Sequence, residues 1–174
     1  MSRAALLAAA VVVLASCQSE SRDASVKTFA DDALSLAPPP GWDAKRQKDT
    51  LVFVAPSAKD GTRATIAVRS VPVDGWSEPR TPETVLPSVE TVLRALPSAK
   101  VTGPTWIDHP AYRAAAYEVS FTPRSRGGRV YERRHVVVFA HDHVFHAFLT
   151  APAGHVDVSR AAFERVLESL REEA

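Results

Sequence analysis

The sequence predicts an α+β domain in which two helices pack on a mainly antiparallel sheet. Three observations favour this class: apolar and polar residues alternate in short runs, two segments carry apolar residues at helical spacing, and the last strand-like runs follow one another with short connections. Of the 174 residues, 45% are hydrophobic and 24% are charged. That composition is typical of one globular domain with a real core.

The domain opens with strands and turns. A short strand is predicted at Leu34–Leu36, before the rigid turn Pro38-Pro39-Pro40-Gly41-Trp42. Leu51–Ala55 is an apolar run short enough for a buried strand, and Thr62–Val71 alternates between two faces. Because Asp60-Gly61 is a turn signal, these two strands are expected to form a hairpin.

A helix follows, indicated by one apolar stripe. The stripe is Val85, Leu86, Val89, Val92, Leu93 and Leu96. Thr81 is the expected N-cap, Pro82 suits the first helical position, and Pro97 ends the helix. Pro87 would clash with the carbonyl of Glu83, so either the first turn is bent or the regular helix begins near Pro87.

Further strands and a second helix complete the pattern. The strands are expected at Lys100–Trp106, Ala111–Phe121, Val130–Ala140 and Val144–Thr150, the last two joined by a tight turn at His141-Asp142-His143. Ser159 or Asp157 is expected to cap the second helix. The apolar stripe of that helix is Phe163, Val166, Leu167 and Leu170.

From about Phe29 to Ala174 the chain resembles the PsbP-like and DcrB-like group of small secreted or lumenal domains. The resemblance depends on the opening strand with Pro40-Gly41-Trp42, the mid-chain amphipathic helix, the hairpin segment Val144–Pro152 and the closing helix Phe163–Leu170. It implies an antiparallel sheet sandwiched by helices. The pattern of the residues agrees with this and predicts that Trp42 covers one end of the core. The resemblance also implies an accessory or binding protein of membranes and envelopes, and it assigns no functional residue.

The N-terminus is typical of a signal peptide. Met1-Ser2-Arg3 is a short positive region, and Ala4–Ala15 is an unbroken apolar run of twelve residues. Such a helix rises about 18 Å, short of the roughly 30 Å of a bilayer core. The run ends in Leu14-Ala15-Ser16-Cys17, which resembles the lipobox of bacterial lipoproteins, where the cysteine thiol takes the diacylglycerol. The alternative is an ordinary signal peptide with an incidental cysteine.

These signals divide the chain into a lipoprotein signal peptide (1–16), a lipidated flexible tether (17–33) and a single domain (34–174). The lipid on Cys17 is the expected link to the membrane. Gln18 rather than Asp follows the cysteine, which favours the outer membrane over the inner one, with the domain facing the periplasm. Since Cys17 is the only cysteine, the domain must be stable without an intrachain disulfide.

The charge balance argues against nucleic acid as a partner. The chain has 21 Lys and Arg against 20 Asp and Glu, and removing residues 1–16 takes away only Arg3. Duplex binders gain affinity mainly by neutralising phosphates, which needs an excess of basic groups. The expected partners are therefore the membrane, through Cys17, and an envelope protein whose identity stays open.

The histidines raise the question of a metal site. His141, His143 and His146, with Asp142, form a cluster of the residue types that bind zinc. Because the hairpin turn falls at His141-Asp142, His146 lies beyond comfortable reach of the other two, and we interpret the cluster as a polar hairpin tip plus one partly buried histidine. His135 and His146 could face each other across the hairpin. No metal site and no cofactor are predicted.

The arginines and one tryptophan are the candidate binding residues. Five arginines surround Gly127-Gly128, namely Arg124, Arg126, Arg129, Arg133 and Arg134. They would suit an anion such as a lipid headgroup or a polyanionic glycan. However, strand alternation sends Arg133 and Arg134 to opposite faces, so solvated loop and edge charges are the simpler interpretation. Trp76 lies in a loop where no core pattern demands it, and Trp76, Arg126 and Arg129 are the binding candidates.

Enzyme signatures are absent from the sequence. There is no Gly-x-Ser-x-Gly elbow, phosphate-binding loop, dinucleotide-binding glycine pattern or His-Glu-x-x-His. Cys17 is consumed by lipid, so no catalytic residue is assigned. The prediction is a non-catalytic accessory or binding protein of the envelope. A small-ligand or anion carrier using a groove between sheet and helix is the first alternative, and a hydrolase is the second.

Overall fold

The structure of the chain is a computed structural model that describes residues 27–28, 34–72, 80–110, 112–124 and 127–172. Within these ranges the helices are α1 (Pro82–Arg94) and α2 (Val156–Ser169). The strands are β1 (Lys27–Thr28), β2 (Leu34–Leu36), β3 (Asp43–Gln47), β4 (Thr50–Val54), β5 (Thr65–Pro72), β6 (Lys100–His109), β7 (Tyr112–Phe121), β8 (Tyr131–Phe139), β9 (His143–Pro152) and β10 (Arg171–Glu172).

The main sheet is antiparallel and has seven strands in the order β3-β4-β5-β9-β8-β7-β6. The predicted α+β class is therefore confirmed. The predicted β4–β5 hairpin is present, with Val54 opposite Thr65. So is the tight turn between β8 and β9, where Phe139 pairs with Val144. Sequence alternation did not reveal β3, whose five side chains are all exposed at the edge of the sheet.

A second, three-stranded sheet has the order β1-β2-β10. It includes the predicted strand Leu34–Leu36, which pairs with both neighbours and not with the main sheet. The backbone N–H of Ala37 donates to the Ser169 hydroxyl at 2.9 Å, which ties the end of β2 to α2. Lys27 and Thr28 lie within the predicted tether, and they pair with β2 as β1.

Each face of the main sheet carries its own core, because successive side chains of a strand point to opposite faces. The face under α2 buries side chains from β4, β5, β7, β8 and β9 together with Phe163 and Val166 of the helix. Trp42 packs against this core, half-buried, as expected. On the face under α1, Leu86, Val89 and Leu93 of the helix are buried with side chains from β7, β8 and the start of β9, and Val101 of β6 packs against them, half-buried.

Helix α1 begins at Pro82 and continues through Pro87, so the regular helix does not start at Pro87. Thr81 is the N-cap residue, but its side chain makes no capping hydrogen bond, and its backbone carbonyl accepts from Thr84 and Val85 instead. The helix ends at Arg94, before Pro97.

Helix α2 has His155 as its N-cap, which corrects the prediction of Ser159 or Asp157. The helix starts at Val156, so Asp157 lies within the first turn and Ser159 is buried. Within the described ranges, neither helix combines the length and apolar content needed to cross a bilayer.

Candidate functional site

A groove opens between α1 and the sheet, because α1 covers only part of the face it packs on. We call it the α1 groove, and its volume is about 320 Å³. Helix α1 contributes one wall and strands β5, β8 and β9 contribute the other. The lining residues are Thr84, Val85, Ser88, Val89, Val92 and Leu93 on the helix and Arg69, Val71, Arg133, His135, His146 and Phe148 on the strands.

Two histidines meet on the strand side of the groove. In the β8–β9 register His135 pairs with Phe148, and Val137 pairs with His146, which makes the two histidines diagonal neighbours on one face. Nε2 of His135 lies 3.1 Å from Nδ1 of His146, within hydrogen-bond distance. Nδ1 of His135 is buried and has no hydrogen-bond partner among the residues that the structure describes. The sequence prediction that these two rings could face each other is confirmed.

Burial keeps both histidines neutral at ordinary pH. It lowers the pKa of His135 well below its usual range, and the neighbouring His146 and Arg133 act in the same direction. Burial also lowers the pKa of His146 to about 4, with the charges of Arg69 and Arg80 adding to the effect. The groove therefore holds an uncharged imidazole pair among arginines.

Arg133 is the second polar feature of the groove. Its Nε donates to the Thr150 hydroxyl at 3.0 Å. Its guanidinium carbon lies 5.2 Å from the ring centre of Phe121 and 5.4 Å from that of Phe148, both within cation–π range. Burial lowers the pKa of Arg133. Arg69, at the rim, is instead paired to Asp49 at 2.7 Å.

Arg133 also lines a second cleft of about 580 Å³ on the same face of the sheet. This cleft includes the predicted binding residue Arg129, which is exposed. Its Nη1 lies 4.0 Å from an oxygen of Asp60, so the two form a loose surface ion pair. Arg129 does not line the α1 groove.

The remaining sequence candidates do not converge on a site. His141 and Asp142 form an exposed pair at the hairpin turn, with 2.7 Å between Nδ1 and a carboxylate oxygen. Nowhere in the described parts of the chain do three or more His, Cys, Asp or Glu come together to hold a metal. Arg134 points away from Arg133, as alternation predicted, and pairs with Glu118 on the α2 face.

Three other predicted residues, Cys17, Trp76 and Arg126, lie outside the described residues. The groove itself was anticipated only in general terms, as one between sheet and helix. Its polar residues carried a signal, since Arg133 and His135 are two residues apart on one strand and share a face. The sequence interpretation of Arg133 as a solvated surface charge is corrected by its half-buried position in the groove, whereas the facing of His135 and His146 is confirmed.

Neither a family model nor a curated protein matches the chain. Several solved structures do. PA94 from Pseudomonas aeruginosa, a protein of unknown function, is 16% identical with a TM-score of 0.60, over 86% of this chain and 97% of that one. LpqN, involved in cell envelope biogenesis of Mycobacterium tuberculosis, is 16% identical with a TM-score of 0.59, over 86% and 90%.

The cyanobacterial PsbP of Synechocystis sp. PCC 6803 is 17% identical with a TM-score of 0.52, over 92% of this chain and 99% of that one. At such identities the likeness concerns the fold alone. The seven-stranded antiparallel sheet with its two helices is the PsbP-like fold.

Proposed function

We propose that this chain is a lipid-anchored binding protein of the cell envelope that holds a small ligand in the α1 groove without transforming it. The observation that carries the proposal is the convergence of Arg133, His135 and His146 beside the apolar wall of α1. Ligand sites are typically cavities of roughly 300–1,000 Å³, mainly apolar, with a few polar groups that orient the ligand. The α1 groove, at about 320 Å³, has that character.

The envelope location is supported by two independent observations. The sequence Leu14-Ala15-Ser16-Cys17 resembles a lipobox, and LpqN, which shares the fold, is a protein of cell envelope biogenesis. On this proposal the lipid on Cys17 anchors the chain to the outer membrane, the domain faces the periplasm, and nucleic acid is not a partner.

The proposal of a non-catalytic role is supported by the polar contacts in the groove. Among the described residues they include a histidine–histidine pair, the Arg133–Thr150 pair and the Arg69–Asp49 ion pair. None of these three contacts places a hydroxyl or thiol nucleophile against a general base, which is the arrangement that covalent hydrolysis requires.

The anchor is tested by intact mass and membrane fractionation of the full-length protein expressed in a bacterium that acylates lipoproteins. The wild type should be cleaved before Cys17, carry acyl chains and sediment with the outer membrane. Cys17→Ser should remain unacylated and uncleaved. A wild-type chain that is soluble and unmodified would refute the anchor.

Ligand binding in the groove is tested by filling the groove with a larger side chain. Ser88 is exposed and lines the groove, so Ser88→Trp should fill the mouth without disturbing the core. Val158, 85% exposed on α2, provides the matched control Val158→Trp. Small molecules extracted from purified wild type and Val158→Trp should include a compound depleted several-fold in Ser88→Trp. Equal recovery from all three would exclude the groove, and conversion of that compound by the protein would refute the non-catalytic role.

A further inference from the structure

We propose that the ligand of the α1 groove is a small single-chain amphiphilic anion, with its anionic group paired to Arg133 and its apolar body lying against Val89, Val92 and Phe148. This inference rests on the proposed function, because it names the ligand class of the same site. It follows from the apolar wall, the charge of the groove and the size of the cavity.

The apolar wall is more extensive than the fold requires. Val89 and Leu93 are buried under α1, as a helix that packs on a sheet demands. Val92 belongs to the same stripe, yet it is 67% exposed and lines the mouth of the groove. This exposed valine and the half-buried Phe148 line the same groove and leave apolar surface in water, which an apolar ligand would cover.

The charged residues of the groove indicate that the ligand has an anionic head group. None of the described residues that line it is Asp or Glu. Within the described ranges Arg133 has no carboxylate partner, whereas its rim neighbour Arg69 is paired to Asp49. A half-buried guanidinium without an anion is costly, and a bound carboxylate or phosphate would offset that cost through charge-assisted hydrogen bonds.

The positive charge that would bind the anion comes from Arg133 and not from the two histidines. Since burial lowers the pKa of both His135 and His146, neither competes with Arg133 for the anion at neutral pH. The volume of about 320 Å³ lies at the small end of ligand cavities. It suits a single short chain and not a two-chain phospholipid.

The experiment is calorimetric titration of the full-length acylated protein in phosphatidylcholine nanodiscs, with empty nanodiscs as the reference for partitioning. The probes are octanoate, octanol, octylammonium and inorganic phosphate. Octanoate should bind at least about tenfold more tightly than each of the other three. Arg133→Gln should remove the preference of octanoate over octanol, whereas Arg134→Gln, whose guanidinium lies on the opposite face, should retain it.

A second variant guards against an effect of Arg133→Gln on folding. Val92→Glu places a carboxylate at the exposed mouth and should weaken octanoate binding about tenfold, while Val158→Glu on α2 should not. Equal binding of octanoate and octanol, or octanoate binding indifferent to both Arg133→Gln and Val92→Glu, would overturn the inference while sparing the proposed function.

Two further outcomes would also decide the matter. Phosphate binding as tightly as octanoate would show that the apolar body contributes nothing. Displacement of octanoate by phosphatidylglycerol nanodiscs would assign the groove to a membrane lipid. Either result overturns the inference. Failure of every probe, together with equal recovery of extracted compounds from Ser88→Trp and wild type, would refute the proposed function as well.

Discussion

Tyr112 and Tyr117 lie five residues apart on β7, so their side chains leave opposite faces of the sheet, and each hydroxyl donates to a backbone carbonyl of the helix on its own face. Tyr112 bonds the carbonyl of Leu167 in α2 at 3.1 Å. Tyr117 bonds that of Leu86 in α1 at 3.3 Å. One strand, which lies next to the edge strand β6, therefore positions both helices, and through α1 it sets one wall of the groove.

Removing the Tyr117 hydroxyl tests this arrangement. Tyr117 is fully buried, so Tyr117→Phe should lower the free energy of unfolding by about 1 kcal/mol, the usual value for one lost hydrogen bond. Tyr112→Phe should cost less, because Tyr112 is only half-buried. Urea denaturation followed by circular dichroism measures both. Unchanged midpoints in the two variants would show that the hydroxyls do not hold the helices.

The elements that the sequence predicted are those in which buried and exposed side chains alternate regularly along the chain. The α1 stripe and the alternation of β5 were recognisable because each element is more buried on one face than on the other, and the turn signal Asp60-Gly61 located the β4–β5 hairpin. Strand β3 was not, because it lies at the sheet edge with all five side chains exposed, and hydrogen bonding to β4 alone defines it. A periodic sequence pattern arises where one face of an element is buried and the other is exposed. An edge strand whose side chains are exposed on both faces has no such pattern.

The groove was harder to predict for a related reason. Val92 belongs to the α1 stripe by spacing, and the pattern places it in the core. Its exposure of 67% reflects how far α1 extends over the sheet, which is a tertiary property that spacing does not encode. The pairing of His135 with His146 was accessible, because locating the hairpin turn fixes the β8–β9 register and hence the diagonal neighbours.

Gly103 gives a prediction about the edge strand β6. It lies at a register shift between Thr102 and Thr105, with a φ of +115°. A Cβ at this position would come within 2.6 Å of the Ala116 carbonyl oxygen on β7. Gly103→Ala should therefore lower the free energy of unfolding by about 3 kcal/mol or more, since conformational strain and the backbone contact add.

The matched control for Gly103→Ala is Gly154→Ala. Gly154 has a φ of +81°, but no atom of the described part of the chain lies within 4 Å of its added Cβ. In this variant the free energy of unfolding should fall by only roughly 1–2 kcal/mol, which is the cost of a non-glycine residue in the left-handed conformation. Chemical denaturation of both proteins measures the difference. Equal losses would mean that β7 moves to accommodate the methyl group.

The histidine pair makes the stability of the domain depend on pH. The pKa of His146 is about 4 in the folded protein against an ordinary value of 6.5, so between these values the unfolded chain binds more protons than the folded one. Stability is therefore full above about pH 6.5 and falls as the pH drops towards 4, by roughly 3 kcal/mol from this group. His135, whose pKa burial also lowers well below its usual range, acts in the same direction.

The charged groups that act on the pair come from several elements, namely Arg133 on β8, Arg69 on β5 and Arg80 before α1, and all of them disfavour protonation. Urea unfolding of wild type, His146→Gln and His141→Gln at pH values of about 7 and 5 isolates the effect. His141 is exposed at the turn, so its variant should keep the wild-type loss of stability on acidification. His146→Gln should lose clearly less stability than the wild type on the same acidification. If it loses as much as wild type, the acid sensitivity comes from other groups, and the buried pair does not titrate as described.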